Sequence, residues 1–598
     1  ALDAFNKAQS ITEDADLLYS HEELAALANL GSFFCQLGLL NKAESSLRRA
    51  INIFDSISAQ KMVIDSEIYL LAYGTLGNVL RIQKKWDEAY SFLVKALNRL
   101  ESYRLSFVYE RQNLALIKAF RWIYEATIDC CFYLGLNDPE MRSNAFALAE
   151  SIKWLVLNTR LRYEPLWLPG MENSTLLKEE ALLLRQISDV TLGSQAHHYN
   201  ESVIVNSMKR LEEIWDKLEP LYPDYIAIRR QKTVGASEVV ELLDKEVPIL
   251  IEYYLGDELD VALAFILKRG EKHPQIVKLN HSLRFINDIV KELRSSDSLK
   301  SIEKFKKLSS RLHDTIIAPL QSLLSKGEGI CIVPYGPLHN VPFSALYDGQ
   351  KYLVERNPII ISPSATALRW WIKKNRHLMD SCLLFPATNH IRSADGIMDD
   401  LRIFENLAIK EIAPQFSRSL VVMPQEATKK KLIDEMRPGH ELWDVVHIAC
   451  HGISRDDGLS SCLIMAGDQT SISKDLTALE ISTGLRTEAS LVILSACESG
   501  IALTSTSDEL LGLAQAFLMI GASSVLASVW TVRQDVGVAI TRRFYELLKE
   551  NNTGQQSKLK ALQIAQQEAL EKKIWFGLLN AWEHPYFWAA FQLYGDWR

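Results

Sequence analysis

Two short runs hold the residues best suited to chemistry. Val445-Val446-His447-Ile448-Ala449-Cys450-His451-Gly452 is apolar until it ends in His then Gly. Leu491-Val492-Ile493-Leu494-Ser495-Ala496-Cys497-Glu498-Ser499-Gly500 is apolar until it meets small residues, a Cys and a Gly. A thiol with a pKa of about 8.5 is mostly protonated at neutral pH, and an imidazole that takes its proton makes it a nucleophile. Cys497 and His451 form such a pair when two strands bring them together. Gly452 and the Cys497 backbone would then offer N–H groups to a developing oxyanion, with no bulky side chain in the way. His447 reads as a packing residue or as one that orients its neighbour. Ser495 is an alternative nucleophile, but it lacks the G-x-S-x-G elbow. His447, Cys450, His451, Cys462 and Cys497 lie in one region, yet their spacing matches neither a zinc ribbon nor H-E-x-x-H, so no metal and no cofactor are expected.

The elements that position these residues read as an α/β sheet. From about Gly235 apolar runs such as Pro248 to Tyr254, Val261 to Leu267, Gly329 to Val333 and Asn357 to Ile361 alternate with helical patterns over Leu283 to Leu293 and Ile302 to Ser325. Further strands are expected over Ser381 to Phe385, Ser419 to Met423, Leu442 to His447, Leu459 to Met465, Ala489 to Leu494 and Val525 to Trp530. Reactive groups in an open parallel sheet sit just outside the carboxyl ends of strands, where His451 and Cys497 both fall.

Before Leu221 the pattern is long amphipathic helices with two matching pairs. Leu30, Gly31 and Phe34 precede Ala43, Leu47 and Ala50; Leu76, Gly77 and Leu80 precede Ala89, Leu93 and Ala96, at a period of 77 − 31 = 46. The glycines and alanines let antiparallel helices approach, and Leu47 and Leu93 fill the seams. This resembles the tetratricopeptide repeat with longer helices, and a third copy is expected near Leu134, Gly135, Ala145 and Ala149. A solenoid of this kind presents a concave face suited to a protein or peptide partner.

Composition sets bounds on these readings. At roughly 150 residues per domain, 598 residues make about four compact units. A net charge of −8 disfavours a broadly basic nucleic-acid binder, and 48% hydrophobic residues exclude a disordered chain. Eight cysteines with no C-x-x-C suit small core roles in a reducing cytosol. No charged stretch followed by an apolar run opens the sequence, so a secretory leader is not expected. The uncharged stretch after Glu509, Leu510 to Val532, carries Gly512, Gln515, Gly521 and several serines, so it reads as a helix, a turn at Gly521 and a buried strand rather than a membrane span.

Over Glu238 to Arg598 the sequence resembles the CHAT domain, a caspase-like and separase-like family of cysteine peptidases. The residues that carry this are Leu250 to Asp257, Val333 to Phe343, Ser362 to Thr366, His447-x-x-x-His451-Gly452, Ser495 to Gly500, Asp508-Glu509, Gly521-Ala522 before Val525 to Trp530, His584 to Phe591, and Gly595-Asp596. With repeats in front, the chain resembles a bacterial TPR-CHAT protein. Departures are Tyr335, where the family often has Asp, and the variant turn Thr531 to Asp535.

The fold class implied is α + α/β, a TPR-like helical solenoid over residues 1–234 followed by a caspase-like α/β CHAT domain in two halves, a degenerate one at 235–380 and a catalytic one at 381–598. The resemblance implies His451 as general base, Cys497 as the acyl-forming nucleophile, and backbone N–H groups of Gly452 and Cys497 as the oxyanion hole. Related peptidases often read a basic residue before the cut bond through acidic pocket residues, for which Asp508, Glu509, Asp535 and Glu498 are candidates; Asp508-Glu509 could instead cap the following helix. The implied partners are a protein substrate and an activating protein or ribonucleoprotein bound by the repeats. Latency before that binding, relieved by rearrangement of the loops Ser454 to Ser460 and Ile501 to Glu509, is also implied. Such proteins are cytoplasmic in bacteria and stand beside defence systems that include an RNA-guided effector and gasdermins that need cleavage. No direct sequence-specific nucleic-acid binding is expected. A different class of reading is a non-catalytic scaffold that bridges two partners.

Overall fold

The computed structural model describes residues 21–59, 66–106, 110–161, 174–192, 201–230, 232–372, 379–387, 407–437, 442–455, 460–466, 475–496, 503–504, 510–530, 532, 534–549, 556–572, 574 and 583–598. The chain divides into two compact units. One comprises Ala1–Ile152, Leu182–Ile214 and Gly256–Val261; the other comprises Lys153–Ala181, Trp215–Leu255 and Ala262–Arg598.

The first unit is built from helices α1 (His21–Gln36), α2 (Leu40–Ala59), α3 (Ser66–Ile82), α4 (Trp86–Ser106), α5 (Glu110–Leu134) and most of α6 (Pro139–Leu161). Helices α1 to α5 pack successively against one another, and the expected seams are present. A Cβ on Gly31 would lie 2.4 Å from Leu47 Cγ, and one on Gly77 would lie 2.5 Å from Leu93 Cγ. Ala43, Leu47, Ala50, Ala89, Leu93 and Ala96 are fully buried. The third copy differs. Helix α5 ends at Leu134, so Gly135 opens the turn to α6, where a Cβ would lie 2.7 Å from Arg142 Cγ rather than against a seam leucine. A glycine inside a helix permits close approach, whereas one just past the helix end serves the turn.

In the second unit strands β1 (Ile249–Leu255), β2 (Ala262–Lys268), β3 (Gln275–Lys278), β4 (Ile330–Val333), β5 (Ile359–Ile361), β6 (Ser381–Pro386), β7 (Arg418–Val421), β8 (Val445–Ile453), β9 (Cys462–Ile464), β10 (Asp475–Thr477), β11 (Leu491–Ala496), β14 (Ser524–Ser528) and β15 (Phe591–Gly595) form one sheet, and β12 (Leu503–Thr504) and β13 (Leu510–Leu511) form a separate pair. Strands β7, β6, β8, β11 and β14 run parallel in that order. Strands β15, β5, β4 and β1 form a second parallel set. The two sets meet where β14 pairs antiparallel with β15. Every residue of β1, β6, β14 and β15 is buried, as expected of strands covered on both faces.

Most of the sequence-based strands and helices are found within a few residues of their expected bounds, but the strand expected over Leu442 to His447 runs from Val445 to Ile453. Additions are β3, β10, the β12–β13 pair and β15, all short or weakly patterned. The helix expected over Ile302 to Ser325 stops at Ile316, because Pro319 lies within a 3-10 turn over Ala318–Leu323. The helix Leu513–Met519, the turn at Gly521 with φ of 120° and β14 stand where they were expected. Among the described residues no helix is long and apolar enough to cross a membrane. This fold class, a helical region followed by an α/β sheet domain, is the expected one.

Candidate active site

Strand β8 lies beside β11 in parallel register from the Leu491–Val445 pair to the Ala496–Cys450 pair. Runs of Val, Ile and Leu form these strands because both faces of a central parallel strand are covered. Among the described residues the parallel pairing with β11 reaches Cys450, and β8 runs on: His451, Gly452 and Ile453 pair antiparallel with Ile464, Leu463 and Cys462 of β9. His451 is therefore inside a strand rather than beyond its end. Strand β9 stands on the edge of β8 away from β11, the edge where β6 pairs with β8 as far as Ala449.

His451 is half-buried, and its Nε2 is buried with no hydrogen bond among the described residues. Gly452 is half-buried opposite Leu463. Cys497 and Glu498 follow Ala496 directly and lie outside the described residues, as do Asp508 and Glu509. The helix after those two acids begins at Leu513 with Gly512 as its cap, and β13 stands between, which does not fit the capping alternative. Asp535 is the second residue of the helix Gln534–Lys549, and its side chain lies outside the described residues. Tyr335, a departure from the family pattern, is buried edge-on to Tyr254 with ring centroids 5.1 Å apart.

His447 occupies the same face of β8 as His451, four residues earlier. It is fully buried and bonded at both nitrogens, with Nε2 2.8 Å from Ser495 Oγ and Nδ1 3.2 Å from Tyr545 OH. Burial lowers its pKa to about 3, so it is neutral throughout the physiological range. Burial also holds the Tyr545 hydroxyl well above the ordinary tyrosine range. Ser495 bonded to a permanently neutral imidazole this weak in basicity is poorly served as a nucleophile. The part of Tyr545, 98 residues away in sequence, carried no local signal.

Residues 306–596 match the family model of the CHAT domain. The chain carries a CHAT domain. Its matched range contains β4 to β15, including His451 and Cys497, and begins after β1–β3, later than the Glu238 start expected from the sequence. No curated protein matches the chain. Among solved structures it is similar to Saccharomyces cerevisiae separase in complex with securin, at 12% identity and a TM-score of 0.41 over 98% of this chain and 54% of that one. A second structure of that complex gives 13% and 0.39 over 99% and 53%. The Arg-specific cysteine proteinase gingipain R gives 11% and 0.29 over 52% of this chain and 74% of that one. The chain spans about half the length of the separase chains it matches.

Within the CHAT domain none of the described cysteines forms a disulfide, and burial raises the thiols of Cys331 and Cys382 far above, and that of Cys462 above, their ordinary range. These are inert packing thiols. Among the described residues no group of three or more His, Cys, Asp or Glu side chains is arranged to hold a metal ion.

Proposed function

We propose that the chain is a cysteine endopeptidase that works through a His451–Cys497 dyad. The observation that carries this reading is the register of β8 and β11: Cys450 and Ala496 are level, and the residues that follow them in the sequence are His451 and Cys497. His451 would accept the thiol proton, and the thiolate would attack the carbonyl carbon of the scissile bond. The oxyanion would take hydrogen bonds from the backbone N–H groups of Gly452 and Cys497. His451 would then return the proton to the leaving amine as the C–N bond breaks, and water would hydrolyse the thioester with His451 as base.

Acidic residues Asp508, Glu509, Asp535 and Glu498 supply a basis for preferring Arg or Lys before the cut, and equal cleavage after Asp would refute that preference. The helical unit is the proposed receiver of an activating partner, with a role in bacterial defence that rests on the family resemblance alone. Partner-independent cleavage at full rate by the purified chain would count against latency.

The deciding experiment compares new protein N-termini in host cells that express the native chain or Cys497→Ala with the genomic neighbours present. A terminus that depends on Cys497 identifies the substrate and the residue before the cut. A cellular effect that persists in Cys497→Ala, with no such terminus, points to the scaffold reading.

A further inference from the structure

The hydrogen bonds beneath the dyad fix the direction of a proton. Tyr545 OH is fully buried and, among the described residues, makes one hydrogen bond, to His447 Nδ1. A buried hydroxyl that cannot donate its proton is costly, whereas its oxygen tolerates an unused lone pair. Donation from Tyr545 to Nδ1 satisfies it. The neutral imidazole then carries its single proton on Nε2 and donates it to Ser495 Oγ at 2.8 Å. With its oxygen already accepting, the half-buried Ser495 hydroxyl is left with its own proton to give, and among the described residues nothing else takes it. The opposite tautomer would have Nδ1–H donate to Tyr545 and strand the phenolic proton.

The register says where that donor stands. Ser495 is level with Ala449, midway along β8 between His447 and His451. Its hydroxyl reaches His447 on one diagonal, so it lies on the face that His447 and His451 share and one diagonal from His451. An alanine methyl is all that β8 places between them.

We propose that Tyr545 and His447 act as positioning residues that lock the Ser495 hydroxyl as a hydrogen-bond donor beside His451, where it binds a carbonyl oxygen of the substrate peptide. The binding half of this inference rests on the peptidase reading; the proton lock does not.

The test has two arms on the full chain. In the first, 15N-histidine-labelled protein is examined by NMR, with His447→Gln to assign the resonance. Protonation at Nε2 is expected, and Tyr545→Phe should weaken that preference; protonation at Nδ1 in the native chain overturns the lock. In the second, hydrolysis of an arginyl peptide aminomethylcoumarin is followed for Ser495→Ala, Tyr545→Phe and the double variant. Each single change should lower kcat/KM by about fivefold, the scale of one neutral hydrogen bond, mainly through KM, with no further loss in the double variant. Additive losses would mean that Tyr545 does not act through Ser495 and overturn the positioning role. A native chain that hydrolyses nothing even with its genomic neighbours present counts against the peptidase reading, and the tautomer still decides the lock.

Discussion

Among the described residues Ala496 and Cys450 form the last pair of the parallel ladder between β11 and β8, and the sequence continues from them into Cys497 and His451. Strand β8 runs on past that pair, and from the very residue proposed as base it pairs antiparallel with β9. That pairing holds the backbone of His451 within a strand, on the edge of β8 away from β11.

From this the first prediction concerns thiol reactivity. A Cys497 activated by His451 should react with iodoacetamide at pH 7 about tenfold faster than in His451→Ala, since an unassisted thiol is only a few per cent ionised there. Loss of the base should lower peptide hydrolysis by about 100-fold or more. Peptide mapping of the alkylated chain reads the first effect, and equal labelling in both proteins would remove His451 from the role of base.

A second prediction tests the helical seams. An alanine at Gly77 gains helix propensity worth about 1 kcal/mol but drives its methyl into the seam leucine, and overpacking costs about 1–3 kcal/mol. The clash prevails, because the Cβ would stand 2.5 Å from Leu93 Cγ and 3.2 Å from the Ala89 carbonyl. Gly77→Ala should therefore lower the melting temperature of the helical unit, and the loss on adding Leu93→Ala should fall short of the sum of the single changes. Strict additivity in thermal melts would contradict the contact.

How much of this was legible in the sequence varied with the range of the contact. Gly31, Gly77, Leu47 and Leu93 were readable because a helix pair is a local pattern, repeated at a fixed period. The same pattern misled at Gly135, since spacing alone does not distinguish a glycine inside a helix from one past its end. Strands β8 and β11 were readable as apolar runs, and the rule that strand ends carry function singled out His451 and Cys497, the second of which lies outside the described residues. The β9 pairing that keeps His451 in a strand was not readable, because β9 is three residues long. Nor was the bond from His447 to Tyr545, which depends on how the helix Gln534–Lys549 is set against β8; no residue near either one encodes it.

Lys558 gives a pH-dependent prediction for the sheet unit. Its ammonium is buried at the start of the helix Lys558–Leu570, where it donates to Ser524 Oγ at 2.7 Å and to the Ser490 carbonyl at 3.2 Å. Burial lowers its pKa to about 8 from 10.5, against a smaller opposing pull from Asp596. A depressed pKa means that the folded chain binds this proton more weakly than the unfolded chain, so stability grows as pH rises from about 8 to 10.5. Relative to Lys558→Met, the native chain should gain on the order of 3 kcal/mol across that window in urea unfolding. A flat difference would place the ammonium in contact with water.

Glu125 on α5 supplies the reverse dependence in the helical unit. Its carboxylate accepts the backbone N–H groups of Asp257 at 3.2 Å, Glu258 at 3.2 Å and Leu259 at 2.8 Å, and Gly256 leaves it room, since a Cβ there would meet the carboxylate at 2.7 Å. Burial raises its pKa to about 7, the Leu259 N–H and Arg121 opposing. With the folded pKa above the unfolded value of 4.5, the proton is held more tightly in the folded state. Its stabilisation is complete below about pH 4.5 and is lost as pH rises to about 7. The native chain should therefore lose stability relative to Glu125→Gln across that window, by on the order of 3 kcal/mol at most, and the difference should level off above it. Glu125→Ala should speed amide exchange at residues 257–259 at every pH, because it removes the acceptor itself. Unchanged exchange at those three amides would show that the carboxylate does not hold the turn.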